Sequence, residues 1–62
     1  MKKYISLYDS DGDGTIHFIW NKEYPGIDIE MEDLFGNVVC ATFYKRDLVK
    51  KLKKLLKKLE QE

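Results

Sequence analysis

The chain has 62 residues, of which 44% are hydrophobic and eight are aromatic. That apolar content excludes a disordered chain, and the length allows a single domain with a marginal core and no deep cleft. The formal net charge is zero, but residues 1–36 carry three basic and eight acidic side chains, whereas residues 37–62 carry eight basic and three acidic ones. Such a dipole can steer the molecule toward a charged partner or toward a second copy of itself.

No segment has the length and hydropathy of a signal peptide or of a membrane span. We therefore expect a cytoplasmic protein, made as a complete intracellular chain with no membrane partner. Cys40 is the one cysteine, so no internal disulfide is expected. Its position in the apolar run 38–41 predicts a small core residue.

The first two predicted strands flank a loop that is rich in aspartate and glycine. Residues 3–8 and residues 15–21 alternate apolar and polar side chains, as half-buried strands do. Residues 9–14 consist of Asp, Ser and Gly, which favour turns over strands. The pattern therefore predicts a β-hairpin.

Two further strands are predicted after a connection that contains Pro25. Residues 27–32 show the cleanest alternation in the chain, with three apolar side chains facing one way and three carboxylates the other. Residues 33–37 supply turn residues able to adopt positive φ. Residues 38–44 predict the fourth strand.

A helix is predicted over about residues 46–61. Its apolar residues recur at steps of three and four and therefore fall on one side, a leucine stripe of Leu48, Val49, Leu52, Leu55, Leu56 and Leu59. Sixteen residues at about 1.5 Å each give about 24 Å, the length of a seven-residue strand, so one helix can cover one sheet face.

The predicted fold class is therefore α+β, with the order ββββα. It comprises a four-stranded antiparallel sheet with one C-terminal amphipathic helix packed on one face. A strongly curled five-element barrel is the alternative. The whole chain, 1–62, is predicted to be a single domain, with the sheet at about 3–44 and the helix at about 46–61.

The alternation assigns the strand residues to two faces. The face predicted to meet the helix holds Ile5, Leu7, Ile16, Phe18, Trp20, Ile27, Ile29, Met31, Val39, Ala41 and Phe43. The opposite face holds Tyr4, Tyr8, His17, Ile19, Asp28, Glu30, Glu32 and Thr42. Because aromatic and acidic groups together suit a recognition surface, we predict that the partner-binding residues are Tyr4, Tyr8, His17, Asp28, Glu30 and Glu32.

The loop at residues 9–16 resembles the first eight positions of an EF-hand calcium loop. Asp9, Asp11 and Asp13 stand at positions 1, 3 and 5, and a glycine follows at position 6. The resemblance implies calcium ligation by these carboxylates, but position 12, a bidentate glutamate in that family, is Trp20 here. The loop is also similar to aspartate-rich calcium turns in some β-propeller repeats, which need no flanking helices. A weak Ca²⁺ site is thus the alternative functional hypothesis.

Asp28, Glu30 and Glu32 form a predicted row with about 7 Å between neighbours, since two strand residues rise about 3.4 Å each. Such a row can imitate the phosphates of a nucleic-acid strand. Small acidic inhibitors encoded by phages, including some anti-CRISPR proteins, act in this way, and this chain is similar to them in size and in its acidic sheet. The similarity implies a phage or mobile-element inhibitor. The alternative is a solvated strand face paired with nearby lysines.

The lysines of the predicted helix fill the surface that the leucines leave. They could contact phosphates, but no arginine-rich or aromatic pattern accompanies them, so we expect a protein partner rather than a nucleic acid. His17 is the one histidine and lies in no catalytic or metal-ligand spacing. The sequence therefore predicts a non-enzymatic interaction module with no catalytic residue and no cofactor apart from weak Ca²⁺. A self-pairing homodimer is the second interpretation.

Overall fold

A computed structural model describes residues 2–61. The elements are β1 (Lys2–Tyr8), β2 (Gly14–Asn21), β3 (Gly26–Asp33), β4 (Val38–Tyr44) and α1 (Lys45–Glu60). Neighbouring strands pair in chain order and always antiparallel, so they form an open meander. The predicted ββββα order is confirmed. The barrel alternative is wrong, because β1 and β4 are the two edges of the sheet.

The strand register confirms both predicted faces. Phe18 of β2 pairs with Ile5 of β1 and with Ile29 of β3, and Ile29 pairs in turn with Ala41 of β4. Directly paired residues point to the same side of a sheet. We call the two sides the apolar face and the acidic face. The apolar face holds Ile5, Leu7, Ile16, Phe18, Trp20, Ile27, Ile29, Met31, Val39, Ala41 and Phe43, and the acidic face holds Tyr4, Tyr8, His17, Ile19, Asp28, Glu30, Glu32 and Thr42.

Two tight loops close the same end of the sheet, which we call the loop end. The Asp9 N–H donates to the Gly14 carbonyl at 2.9 Å, and the loop between them turns at Gly12, whose φ is +76°. The β3–β4 turn begins at Asp33 and places Gly36 at a φ of +82°. Both positions need glycine because a side chain is strained in this region.

The prediction that the helix packs on the apolar face is wrong. α1 meets the sheet at β4, and none of its residues is buried. Leu48 is half-buried, whereas the other members of the leucine stripe are 44–59% exposed.

The junction with β4 explains the position of the helix. The helix begins at Lys45 directly after Tyr44, so no connecting residue is available to reverse the chain over the sheet. The Lys45 N–H donates to the Pro25 carbonyl at 2.9 Å, and Lys45 Nζ donates to the Asn21 carbonyl at 2.5 Å. These bonds fix the first helical turn at the end of the sheet opposite the loop end.

The chain described by the structure consequently lacks a buried core. Gly26 alone is buried among residues 2–61, and on the apolar face Met31 is 57% and Val39 71% exposed. The radius of gyration is 13.2 Å, against about 10.6 Å for a compact domain of this length. The molecule is flat, with extents of 36 × 32 × 16 Å. Over these residues no helix has both the length and the apolar character needed to cross a membrane.

Candidate partner-binding surface

The acidic face carries three carboxylates in one row along β3. Asp28 and Glu30 are half-exposed and Glu32 is exposed. Thr42 Oγ1 of β4 donates to Asp28 Oδ1 at 2.6 Å, which fixes one end of the row. β3 is hydrogen-bonded to β2 on one side and to β4 on the other, so the backbone beneath the carboxylates is held from both sides.

No lysine neutralises this row within residues 2–61. The one ion pair there joins Arg46 Nε and Asp47 Oδ1 at 4.0 Å, on the helix and in solvent. The pairing of the row with nearby lysines, which the sequence left open, is therefore absent from these residues. Asp28, Glu30 and Glu32 present their negative charge to solvent.

The remaining predicted partner-binding residues lie on the same face. Tyr4 and Tyr8, on the edge strand β1, are 71% and 70% exposed. His17 is half-exposed on β2 and pairs with Glu30 across β3, and its Nδ1 shares a hydrogen bond of 2.6 Å with Ser6 Oγ. The register thus brings all six predicted residues to one side of the sheet, with the tyrosines at its edge and the carboxylates in its interior.

The prediction that Cys40 is a core residue is wrong. Cys40 is exposed and pairs with Glu30, which places it on the acidic face. The apolar run 38–41 belongs to a strand that alternates, so Val39 and Ala41 take the apolar face and the thiol takes the other. Because β3 lies between β2 and β4, Glu30 separates His17 from Cys40 across the sheet.

The β1–β2 loop brings its three aspartates together. One carboxylate oxygen from each of Asp9, Asp11 and Asp13 lies within 4.8 Å of the others, and all three are exposed. Asp9 Oδ2 also accepts the N–H groups of Asp11 at 3.2 Å and of Asp13 at 3.4 Å. The likeness to an EF-hand ends there, because β2 begins at Gly14 and carries Trp20 onto the apolar face in extended backbone.

An open groove of about 860 Å³, which the sequence pattern did not predict, lies at the loop end. Its lining includes four side chains of the apolar face and three aspartates of the loops, namely Leu7, Ile16, Met31, Val39, Asp9, Asp13 and Asp33. The signal was present in the sequence, because antiparallel pairing brings both aspartate-containing turns to one end. The groove was overlooked because the apolar face was assigned to the helix of the same chain.

Asp33 lies in this groove with its charge stabilised by hydrogen bonds. The side-chain amide of Asn37 donates to Oδ2 at 2.9 Å, and the N–H groups of Asn37 and Phe35 donate to Oδ1 at 2.9 Å each. These bonds, the Asn37 amide foremost, lower the pKa of the Asp33 carboxyl below its ordinary value. Asp33 therefore contributes a negative charge to the loop end across the neutral pH range.

The chain matches no family model, no curated protein and no solved structure. The surfaces that the structure exposes are the two faces of the sheet, the acidic loop and the helix. These surfaces differ in charge and in apolar content, so they suit different occupants.

Proposed function

We propose that this chain is a small, non-enzymatic interaction module that binds a protein partner through its acidic face. The partner that fits is the basic site of a nucleic-acid-binding protein. The observation that carries the proposal is the carboxylate row Asp28, Glu30 and Glu32, which no cation neutralises among residues 2–61.

The geometry of the row supports imitation of a nucleic-acid strand. Successive carboxylates on one strand face are about 7 Å apart, a spacing suited to a site that grips successive phosphates. Arginine and lysine side chains of such a site form strong charge-assisted hydrogen bonds with carboxylates as well as with phosphates. Because β3 is an interior strand, its backbone is already ordered, and little backbone conformational entropy is lost when the row is bound.

The two exposed tyrosines supply the apolar part of the contact. Tyr4 and Tyr8 lie on the same face as the row, at its β1 edge. Tyrosine is enriched among the residues that dominate binding energy, since it buries a large ring and keeps a polar hydroxyl. A charged row beside exposed aromatic rings therefore supports a protein interface rather than a merely solvated strand.

Such a module fits a phage or mobile-element inhibitor that blocks a nucleic-acid-binding machine of the host cytoplasm. The chain is similar to small acidic phage inhibitors, some anti-CRISPR proteins among them, in its size and in its acidic sheet face. An inhibitor of this kind acts by occupation, because a rigid charged surface in the nucleic-acid site excludes the nucleic acid without any chemical step.

Competition with DNA tests this function. Immobilised protein is exposed to a bacterial lysate, and captured proteins are identified with and without an excess of double-stranded DNA. We expect nucleic-acid-binding proteins to be captured, to be displaced by DNA, and to remain bound in chelator. The triple variant Asp28→Asn, Glu30→Gln, Glu32→Gln should lose them.

A matched control removes three carboxylates away from the acidic face. The variant Asp11→Asn, Asp13→Asn, Glu23→Gln carries the same net charge as the first triple variant, and it should capture the same proteins as the wild type. If both variants lose capture equally, the effect is one of net charge and the assignment to the acidic face fails. Capture that DNA does not reduce excludes the imitation of nucleic acid.

A second candidate function is weak calcium binding at Asp9, Asp11 and Asp13. The observation that favours it is the approach of the three carboxylates to within 4.8 Å, a separation that one cation can bridge. With few protein ligands, the affinity belongs to the millimolar class. Calorimetry with millimolar calcium should show heat for the wild type and none for Asp11→Ala or Asp13→Ala. Equal traces for all three proteins contradict this candidate.

A further inference from the structure

Two complementary apolar surfaces are exposed in this chain. The apolar face carries exposed large side chains, among them Leu7, Met31 and Val39, and the leucine stripe of α1 faces solvent along most of its length. A soluble monomer seldom exposes contiguous apolar area of this extent. Both surfaces therefore require an occupant.

The exposed area indicates how large that occupant must be. The chain exposes 5678 Å², whereas a compact monomer of 7.4 kDa exposes about 4,200 Å². The excess is about 1,500 Å² for each chain, by the same scaling. If two chains bury this excess against each other, the total of about 3,000 Å² falls within the range of obligate homodimers, roughly 2,000–5,000 Å².

We propose that the occupant is a second copy of this chain, and that α1 of each copy lies with its leucine stripe on the apolar face of the other. The contact is reciprocal, so one two-fold axis relates the copies and both apolar surfaces are covered at once. The acidic face lies on the opposite side of the sheet and stays accessible. The dimer is thus independent of the proposed function, and either can fail without the other.

The dimensions of the two surfaces agree. The 16 residues of α1 span about 24 Å, and the eight residues of β3 span about 27 Å. The partner's helix can therefore run along the whole apolar face, from the end of the sheet at which this chain's own α1 begins to the loop end. The groove at the loop end then receives the last leucines of the partner's helix.

The charges of α1 and of the groove at the loop end are complementary. Residues 45–60 carry eight basic and two acidic side chains. At the loop end the groove is lined by Asp9, Asp13 and Asp33, beside an apolar floor. The last turn of the helix carries Lys57 and Lys58 next to Leu59 in the sequence. An amphipathic basic helix and an apolar groove with acidic walls are complementary in both respects.

The junction between β4 and α1 favours a second copy over the helix of the same chain. No residue separates Tyr44 from the helix, and Lys45 is bonded to the carbonyls of Pro25 and Asn21. Folding α1 back over its own sheet would break these bonds and unwind the first helical turn. Exchange between two copies keeps the junction intact.

Sedimentation of the full chain gives the first test. We expect the wild type to have twice the 7.4 kDa chain mass at micromolar concentration. The variant Leu52→Gln, Leu55→Gln should sediment as a monomer. Lys50→Gln, Lys54→Gln changes the opposite side of the same helix and should remain a dimer. A wild type that is monomeric throughout, or a dimer that the leucine variant does not dissociate, overturns the proposal.

Cross-linking between two single-cysteine proteins tests the arrangement even if the leucine variant unfolds. In a Cys40→Ser background, one protein carries Leu52→Cys at the middle of α1 and the other Ile29→Cys at the middle of the apolar face. Because both positions are central, their approach does not depend on the direction of the helix. After mixing and oxidation we expect the mixed disulfide to dominate over either homodimeric one. Predominant linkage of sheet to sheet or of helix to helix overturns the helix-on-sheet arrangement.

Discussion

Both faces of the sheet carry exposed side chains in the structure, but solvent acts on the two faces in opposite ways. On the acidic face, water solvates Asp28, Glu30 and Glu32, so exposure there has little cost. On the apolar face, water meets Met31, Val39 and the other large side chains, and each such group loses the stabilisation that burial would provide. The acidic face can therefore stay exposed at little cost in stability, whereas the apolar face must be covered for the chain to fold stably.

Under the two proposals, the apolar face would provide stability and the acidic face would provide recognition. Sixty-two residues form too small a core to leave one sheet face exposed for binding unless the other face is buried. Covering the apolar face with a second copy would supply the missing core. The dimer would then display two acidic faces to its partners.

The largest expected effect comes from removing the same side chain from each face. Ile29 lies on the apolar face and Ile19 on the acidic face, both in interior strands and both half-exposed in the single chain. We expect Ile29→Ala to lower the free energy of unfolding by about 2–5 kcal/mol, the cost of a large-to-small change in a core. Ile19→Ala should cost about 1 kcal/mol or less. Urea unfolding at one fixed protein concentration measures both.

The two variants distinguish a buried face from an exposed one, because each variant is the control for the other. Equal losses would mean that the two faces are equally covered or equally bare in solution. In either case the distinction between a core face and a recognition face would be lost.

A second expected effect is that stability depends on protein concentration. Folding coupled to association is stabilised by mass action, by about 1.4 kcal/mol for each tenfold rise in chain concentration. The midpoint temperature of thermal unfolding should therefore rise as the protein concentration is raised a hundredfold. A midpoint that is constant over the series indicates a monomer whose apolar face is covered in some other way.

A smaller effect is expected from the acidic face. Glu30→Gln with Glu32→Gln removes two charges from solvated positions, so the free energy of unfolding should change by no more than about 0.5 kcal/mol. The same variant should capture fewer nucleic-acid-binding proteins, because two of the three row carboxylates are gone. A large loss of stability would show that these glutamates have a structural role. Their exposure would then no longer support a role in recognition.

The sequence predicted the elements better than their arrangement. Residues 38–44 were predicted as a strand and form β4, and the helix predicted at about 46–61 forms at Lys45–Glu60. Alternation also assigned each strand residue to the correct face, since its period of two is a local property. The prediction failed at Cys40 because the apolar run 38–41 was given more weight than the alternation, which places the thiol on the acidic face.

The helix position could not be obtained from periodicity. The leucine stripe shows that α1 needs an apolar surface, and its length shows that one sheet face suffices, but neither reveals whose sheet it covers. Which sheet the helix can cover depends on the loop that joins it to β4. Here Lys45 follows Tyr44 directly, so no such loop exists. For the acidic face, the register confirmed which residues lie together, whereas their function stays a proposal because a carboxylate row carries no motif.

The smallest expected effect concerns Asp33, where an acidic side chain lies at the loop end of the apolar face. Its hydrogen bonds to Asn37 lower its pKa, so the folded chain binds this proton less readily than the unfolded chain does. Its contribution to stability is therefore present above the ordinary carboxyl value of 3.8 and is lost as the pH falls through the lowered folded value. NMR titration of the Asp33 carboxyl should show the lowered pKa in the wild type. In Asn37→Ala the pKa should return toward the ordinary value, because the amide donor is gone. An unchanged titration in that variant would mean that the turn does not hold Asp33 as the structure has it, and the acidic wall of the groove would then lose one of its fixed charges.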